Sequence, residues 1–108
     1  MSKLPILSGR ELISKFPREE RYLLCDQMRR SSRSIPSNIA EGWAKRKFEN
    51  VFKKHLIDSI GSCEEMLVWC EFSKECDYIG VDVYERFVDK YREVGVMLDS
   101  LLKKWVTF

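Results

Sequence analysis

Histidine occurs once in this chain, at His55, and no two cysteines are spaced Cys-x-x-Cys. His55, Cys63 and Cys70 do share a helical face. Their steps of 8 and 7 residues, however, climb about 10–12 Å each. A tetrahedral zinc holds its ligands within about 2–2.3 Å, so one chain cannot close that site and no metal is expected. Glu64 and Glu65 suggest a carboxylate site, but the Glu-x-x-His pairs of a di-metal bundle are missing. No histidine lies near Ser31, Ser32, Ser34 or Ser37 in sequence, and a nucleophile needs a base within hydrogen-bond reach. No Gly-rich phosphate loop is present. Catalytic residues are therefore expected to be none, cofactors none, and the protein not an enzyme. Long apolar runs are also missing, so nothing is expected to span a membrane. The first ten residues hold no long apolar stretch, which argues against a signal peptide and for a cytoplasmic location.

Hydrophobic residues make up 44% of the 108 positions and charged ones 33%, a balance typical of ordered chains. One domain over residues 1–108 is expected from this length. The net charge of +2 is unevenly divided. Residues 1–54 carry 13 Lys/Arg against 6 Asp/Glu, and residues 55–108 carry 6 against 11. A basic face and an acidic face follow, suited to a polyanion or to pairing between subunits. Cys25, Cys63, Cys70 and Cys76 read as buried, inert thiols.

Glycine and proline number five and three, and most fall at breaks between helical patterns. Tyr84, Phe87, Tyr91, Val94, Leu98, Leu101 and Trp105 are spaced alternately by 3 and 4 residues, an a/d seam for helix packing. From about Lys47 to Cys76 there are two stripes. One holds Phe48, Phe52, His55 or Leu56, Ser59, Cys63, Met66 or Leu67, and Cys70. The other holds Ile57, Ile60, Gly61, Glu64 and Val68, and a helix with two apolar stripes packs on both sides. Ile57, Ile60, Gly61, Glu64, Glu65 and Val68 are therefore candidates for a subunit interface. Gly61 in mid-helix points to close approach of another backbone, or to a weak spot in the helix.

A third segment opens at Pro17, Glu19 and Glu20, choices that favour a helix start. Its stripe of Leu24, Met28, Ser31, Ile35 and Ile39 runs through Pro36. Either the helix kinks there, or a new one begins with Ser34 as its cap; the kink fits the continuous stripe better. Gly42 is expected to end it. Leu12, Ile13 and Phe16 suggest a short helix before it. The expected fold class is all-α: an up-and-down antiparallel four-helix bundle, the first helix short and helix two kinked near Pro36.

Arg29, Arg30, Arg33, Lys45, Arg46, Lys47, Lys53 and Lys54 form a candidate nucleic-acid surface, since the arginine fork suits phosphate. Trp43 beside the Lys-Arg-Lys run suits base stacking. The same residues also serve helix dipoles, ion pairs to the acidic helices, or simple solvation.

The order of these motifs resembles the bacterial family of 23S rRNA intervening-sequence proteins. Phe16-Pro17-x-x-Glu20-x-Tyr22-x-Leu24 looks like the family's opening of helix two. Gln27-Met28-Arg29-Arg30 follows it. Ser34-Ile35-Pro36-Ser37-Asn38-Ile39-Ala40-Glu41-Gly42 is similar at every position, and Leu56, Gly61-Ser62 and Glu65 match an element in helix three. The resemblance implies a four-helix subunit and a ring-like homopentamer. It also points to a related accessory protein of diversity-generating retroelements, which binds nucleic acid and a reverse transcriptase. Two departures stand out. The family's first helix is longer, and Leu4 to Leu12 look more like the opening of HicA-type toxins, without the toxin's histidine motif. The expected function is a non-catalytic homo-oligomeric adaptor. Its expected partners are other copies of itself, rRNA or other nucleic acid, and a protein such as a reverse transcriptase. The alternative is a ring scaffold whose basic residues serve subunit pairing.

Overall fold

The computed structural model describes residues 18–106, with only the backbone described at Glu19. Within that range the chain is three helices and no strand: α1 (Arg18–Ala44), α2 (Glu49–Glu75) and α3 (Val81–Lys104). The short helix expected before Phe16, and Pro17 as a helix start, lie outside the described residues. No helix among those described is long and apolar enough to cross a membrane.

α2 is the central element. Phe52, Leu56, Cys63, Met66 and Cys70 from α2 are joined in the buried cluster by Ile35 of α1 and Leu98 of α3. α1 and α3 pack on α2 from two sides and scarcely meet each other. The expected stripe of α2 is thus its core face, with the exception of Phe48, which is 61% exposed. The second stripe is turned away from the core except at Ile60, which packs against it.

α1 runs through Pro36 as one continuous helix of 27 residues, so no new helix begins with Ser34 as its cap. Proline removes the amide that would serve the Ser32 carbonyl. Side-chain donors supply the carbonyls around this position. Ser34 Oγ bonds to the Ser31 carbonyl at 2.9 Å, Asn38 Nδ2 to the Ser34 carbonyl at 2.9 Å, and Ser59 Oγ of α2 to the Ile35 carbonyl at 3.1 Å. Local and cross-helix hydrogen bonds thus surround the proline. Nor does Gly42 stop the helix, which runs on to Ala44 and closes with Lys45 N–H on the Gly42 carbonyl at 2.9 Å.

α2 ends in a Schellman motif. Tyr78 N–H reaches the Ser73 carbonyl at 2.8 Å and Asp77 N–H the Lys74 carbonyl at 3.0 Å. Asp77 takes the left-handed conformation that this motif requires, with φ of 57°. Gly80 then precedes α3, whose first turn carries Asp82 and last turn Lys103 and Lys104, each sign matched to the helix dipole.

The seam of α3 is rotated from the one expected. Val88 and Leu98 are its buried positions, whereas Phe87 and Leu101 are each 38% exposed. Tyr84, Tyr91, Val94, Leu102 and Trp105 pack against the core. The a/d pattern therefore covers the packed face and its flank together, and α2 uses only the first.

Candidate nucleic-acid interface

The nine-residue segment Ser34–Gly42 faces α2 through a row of small and polar side chains. Ser34 and Ser62 meet hydroxyl to hydroxyl, and Ser62 also donates to the Asp58 carbonyl at 3.1 Å. Asn38 Oδ1 lies 3.0 Å from His55 Nδ1, so this nitrogen carries the proton and donates. Gly42 packs so tightly that a Cβ there would lie 2.7 Å from His55 Cβ. One turn before Ser34, buried Ser31 donates to Glu65 Oε1 at 2.5 Å, and Trp69 Nε1 donates to the same oxygen at 3.2 Å. The bond from Ser31, then that from Trp69, hold the Glu65 carboxyl below the usual glutamate range, against a smaller opposing effect of burial.

This seam fixes the register of α1 on α2 and engages most of the groups that sequence offers for chemistry. His55, expected on an apolar stripe, is half-buried within it, with Glu41 Oε2 3.9 Å from its Nδ1. Glu65, a candidate for the subunit interface, accepts from Ser31 and Trp69 within the chain. Among the described residues no group of three His, Cys, Asp or Glu is placed to hold a metal ion. Cys63, Cys70 and Cys76 are buried as expected, and burial pushes each thiol above its ordinary range. Cys25 is the exception and is exposed.

The eight candidate cations are divided by their partners. Arg30 pairs with Asp26 at 3.1 Å, Lys45 with Glu41 at 3.3 Å, Lys53 with Glu49 at 3.1 Å, and Lys54 with Asp58 at 3.2 Å. All four are i,i+4 pairs, that of Lys45 straddling the end of α1, and all are at least partly in water, where such pairs contribute about 0.3–0.5 kcal/mol. Arg46 lies over the Trp43 ring, 4.2 Å from its centroid, and donates to the Trp43 carbonyl at 2.9 Å. Arg29, Arg33 and Lys47 are exposed, and no acidic side chain pairs with them among the described residues. Arg29 and Arg33 sit one turn apart on α1, away from α2. Lys47 lies in the α1–α2 turn, 14 residues after Arg33, so the set does not converge on one spot.

The candidate interface residues are also separated. Ile57 and Val68 are 54% and 46% exposed, and Glu64 is exposed beside them. Among the described residues a Cβ at Gly61 would meet nothing within 4 Å, so none of their backbone approaches it. Ile60 instead packs against the core.

The last turn of α3 supplies what sequence reasoning left out. Trp105 rests edge-on against Trp43, with centroids 5.8 Å apart, and against Phe52 at 4.7 Å. Lys104 borders the adjoining groove. Trp105 is 62 positions from Trp43, and only the return of the chain through α2 and α3 brings it there.

A protein all-helical over its described residues, with α1 and α2 joined by a serine, asparagine and glycine seam, is thus the class defined here. Residues 7–100 match the sequence profile of a family described as 23S rRNA-intervening sequence protein. The chain belongs to that family. Neither a curated protein nor a solved structure matches it.

Proposed function

We propose that this protein is a non-catalytic, homo-oligomeric adaptor that binds structured RNA or DNA through phosphate contacts. The observation that carries the reading is the pair Arg29 and Arg33. Like charges four residues apart destabilise a helix by about 0.2–0.5 kcal/mol. Here they stand with Arg30 on the outer face of α1, and neither Arg29 nor Arg33 has an acidic partner among the described residues. A polyanion removes that repulsion. The family's description supports rRNA as the first target to examine. In this reading the subunit is a single four-helix-bundle domain. It acts in the cytoplasm and closes into a ring, a pentamer, through the exposed Ile57, Gly61, Glu64 and Val68 face.

That same face favours a second reading, a ring scaffold for a partner protein such as a reverse transcriptase, with no affinity for nucleic acid. A gel-shift titration of rRNA fragments separates the two. The adaptor binds at low salt and loses affinity when Arg29→Ala, Arg33→Ala and Lys47→Ala are combined. Absence of binding at low salt, with an oligomer intact by solution mass, establishes the scaffold instead. A monomer at micromolar concentration refutes the ring in both.

A further inference from the structure

We infer that the end of the molecule where α1 and α3 both stop is a binding site for unpaired nucleotides, distinct from the arginines of α1. The inference rests on the nucleic-acid reading above and assigns it a place and a ligand class.

The chain reverses direction between successive helices, so the C-termini of α1 and α3 and the N-terminus of α2 share one end. Three aromatic rings meet there. Phe52 is the buried floor, and Trp43 stands 6.2 Å from it by ring centroid and 5.8 Å from Trp105. Trp43 nevertheless keeps half of its surface in water. An open groove of about 520 Å³, lined by Leu101, Lys104, Trp105 and Val106, adjoins the cluster. Small-molecule sites occupy about 300–1,000 Å³, so the groove suits a single base with its sugar.

Charge at this end points the same way. Glu41, Glu49 and Asp99 each pair with a lysine, namely Lys45, Lys53 and Lys103. Lys47 and Lys104 remain without an acidic partner among the described residues, and the Arg46 guanidinium lies over the Trp43 ring. Two helix C-termini attract some of this positive charge. They do not account for a tryptophan left half in water beside an apolar groove. A guanidinium over an indole, with lysines around it, is a stacking platform within reach of phosphate. Bases in a duplex are stacked on one another and offer no free face, so the site selects loops, bulges and ends. Trp43 lies ten residues beyond Arg33, about 15 Å along α1, so the two sets engage different parts of a ligand.

The test is fluorescence anisotropy at low salt, with the full chain and two labelled probes: an unpaired ten-nucleotide RNA and an RNA duplex of the same length. The wild-type protein is expected to bind the unpaired probe more tightly. Trp43→Leu, which keeps apolar bulk over Phe52, is expected to weaken that probe about tenfold or more while leaving the duplex unchanged. The surface variant Lys47→Glu with Lys104→Glu cannot disturb the core and is expected to weaken the unpaired probe likewise. Equal binding of the two probes overturns the site. So does loss of the unpaired probe with Arg29→Ala and Arg33→Ala but not with the end-of-molecule variants, although the general reading then survives. If neither probe binds at low salt, both fall. If the lysine variant instead alters solution mass, this end contacts another copy of the chain and the proposed site is overturned.

Discussion

Gly42 and Gly61 both lie inside helices, yet the same change to alanine is expected to move stability in opposite directions. In a helix interior alanine is favoured over glycine by about 0.8–1.0 kcal/mol. At Gly61 no atom of the described residues lies within 4 Å of the added methyl, so Gly61→Ala is expected to gain most of that amount in dilute protein. At Gly42 the methyl meets His55 Cβ at 2.7 Å, Phe52 Cδ1 at 3.2 Å and His55 Cγ at 3.3 Å. His55 Cβ is tied to the α2 backbone and cannot be relieved by rotating a side chain. One helix has to shift, lengthening the Asn38–His55 hydrogen bond of 3.0 Å. Overpacking of this kind costs about 1–3 kcal/mol. Set against the propensity gain, Gly42→Ala is expected to lose about 1 kcal/mol, so the variants differ by about 2 kcal/mol. At about 4–8 °C per kcal/mol for a domain of this size, their melting midpoints separate by about 8–16 °C. Thermal or denaturant unfolding of dilute protein, followed by circular dichroism, reads both. Shifts of the same sign and similar size refute the close approach at Gly42. At high concentration the gain from Gly61→Ala is expected to shrink, because the proposed subunit contact uses that open backbone.

Other outcomes follow from single residues. Asp77→Gly is expected to stabilise by about 0.5–1 kcal/mol in denaturant unfolding, since φ of 57° disfavours any side chain. The folded protein is expected to expose one fast-reacting thiol to a disulfide reagent, Cys25, with Cys63, Cys70 and Cys76 reacting only on unfolding; a second fast thiol contradicts the packing of α2. Glu65 has a carboxyl held below its ordinary range in the folded state. Its contribution is therefore complete above the unfolded value, about 4.3, and lost as pH falls through the lower folded value. Glu65→Gln is expected to flatten that acid limb of a stability–pH curve and leave its neutral and alkaline parts parallel to wild type.

The helices were legible because their apolar periods are long and strand signals are few. The face that each helix buries was less so. The seam from Tyr84 to Trp105 has one period whether α3 packs on a single neighbour or on two, so Phe87 and Leu101 read as core positions but lie on its flank. Gly42 resembles a helix stop because a glycine after an apolar stripe has the same local pattern as one pressed against a neighbour. Its cause is His55, on another helix. The hydrogen bonds that surround Pro36 were only partly legible, because one donor, Ser59, comes from α2. Among the cations, the acidic partners of Arg30, Lys45, Lys53 and Lys54 were already written at four-residue spacing. The meeting of Trp43 with Trp105 was not, since it depends on two chain reversals.

Salt dependence of RNA affinity tests the proposed function most directly. Binding to duplex falls with a log–log slope of about −0.9 per phosphate neutralised. With Arg29, Arg33 and Lys47 engaged, the expected slope is about −3 per subunit, and replacing all three by alanine brings it close to zero. An affinity indifferent to salt, or a slope unchanged in the triple variant, contradicts the account.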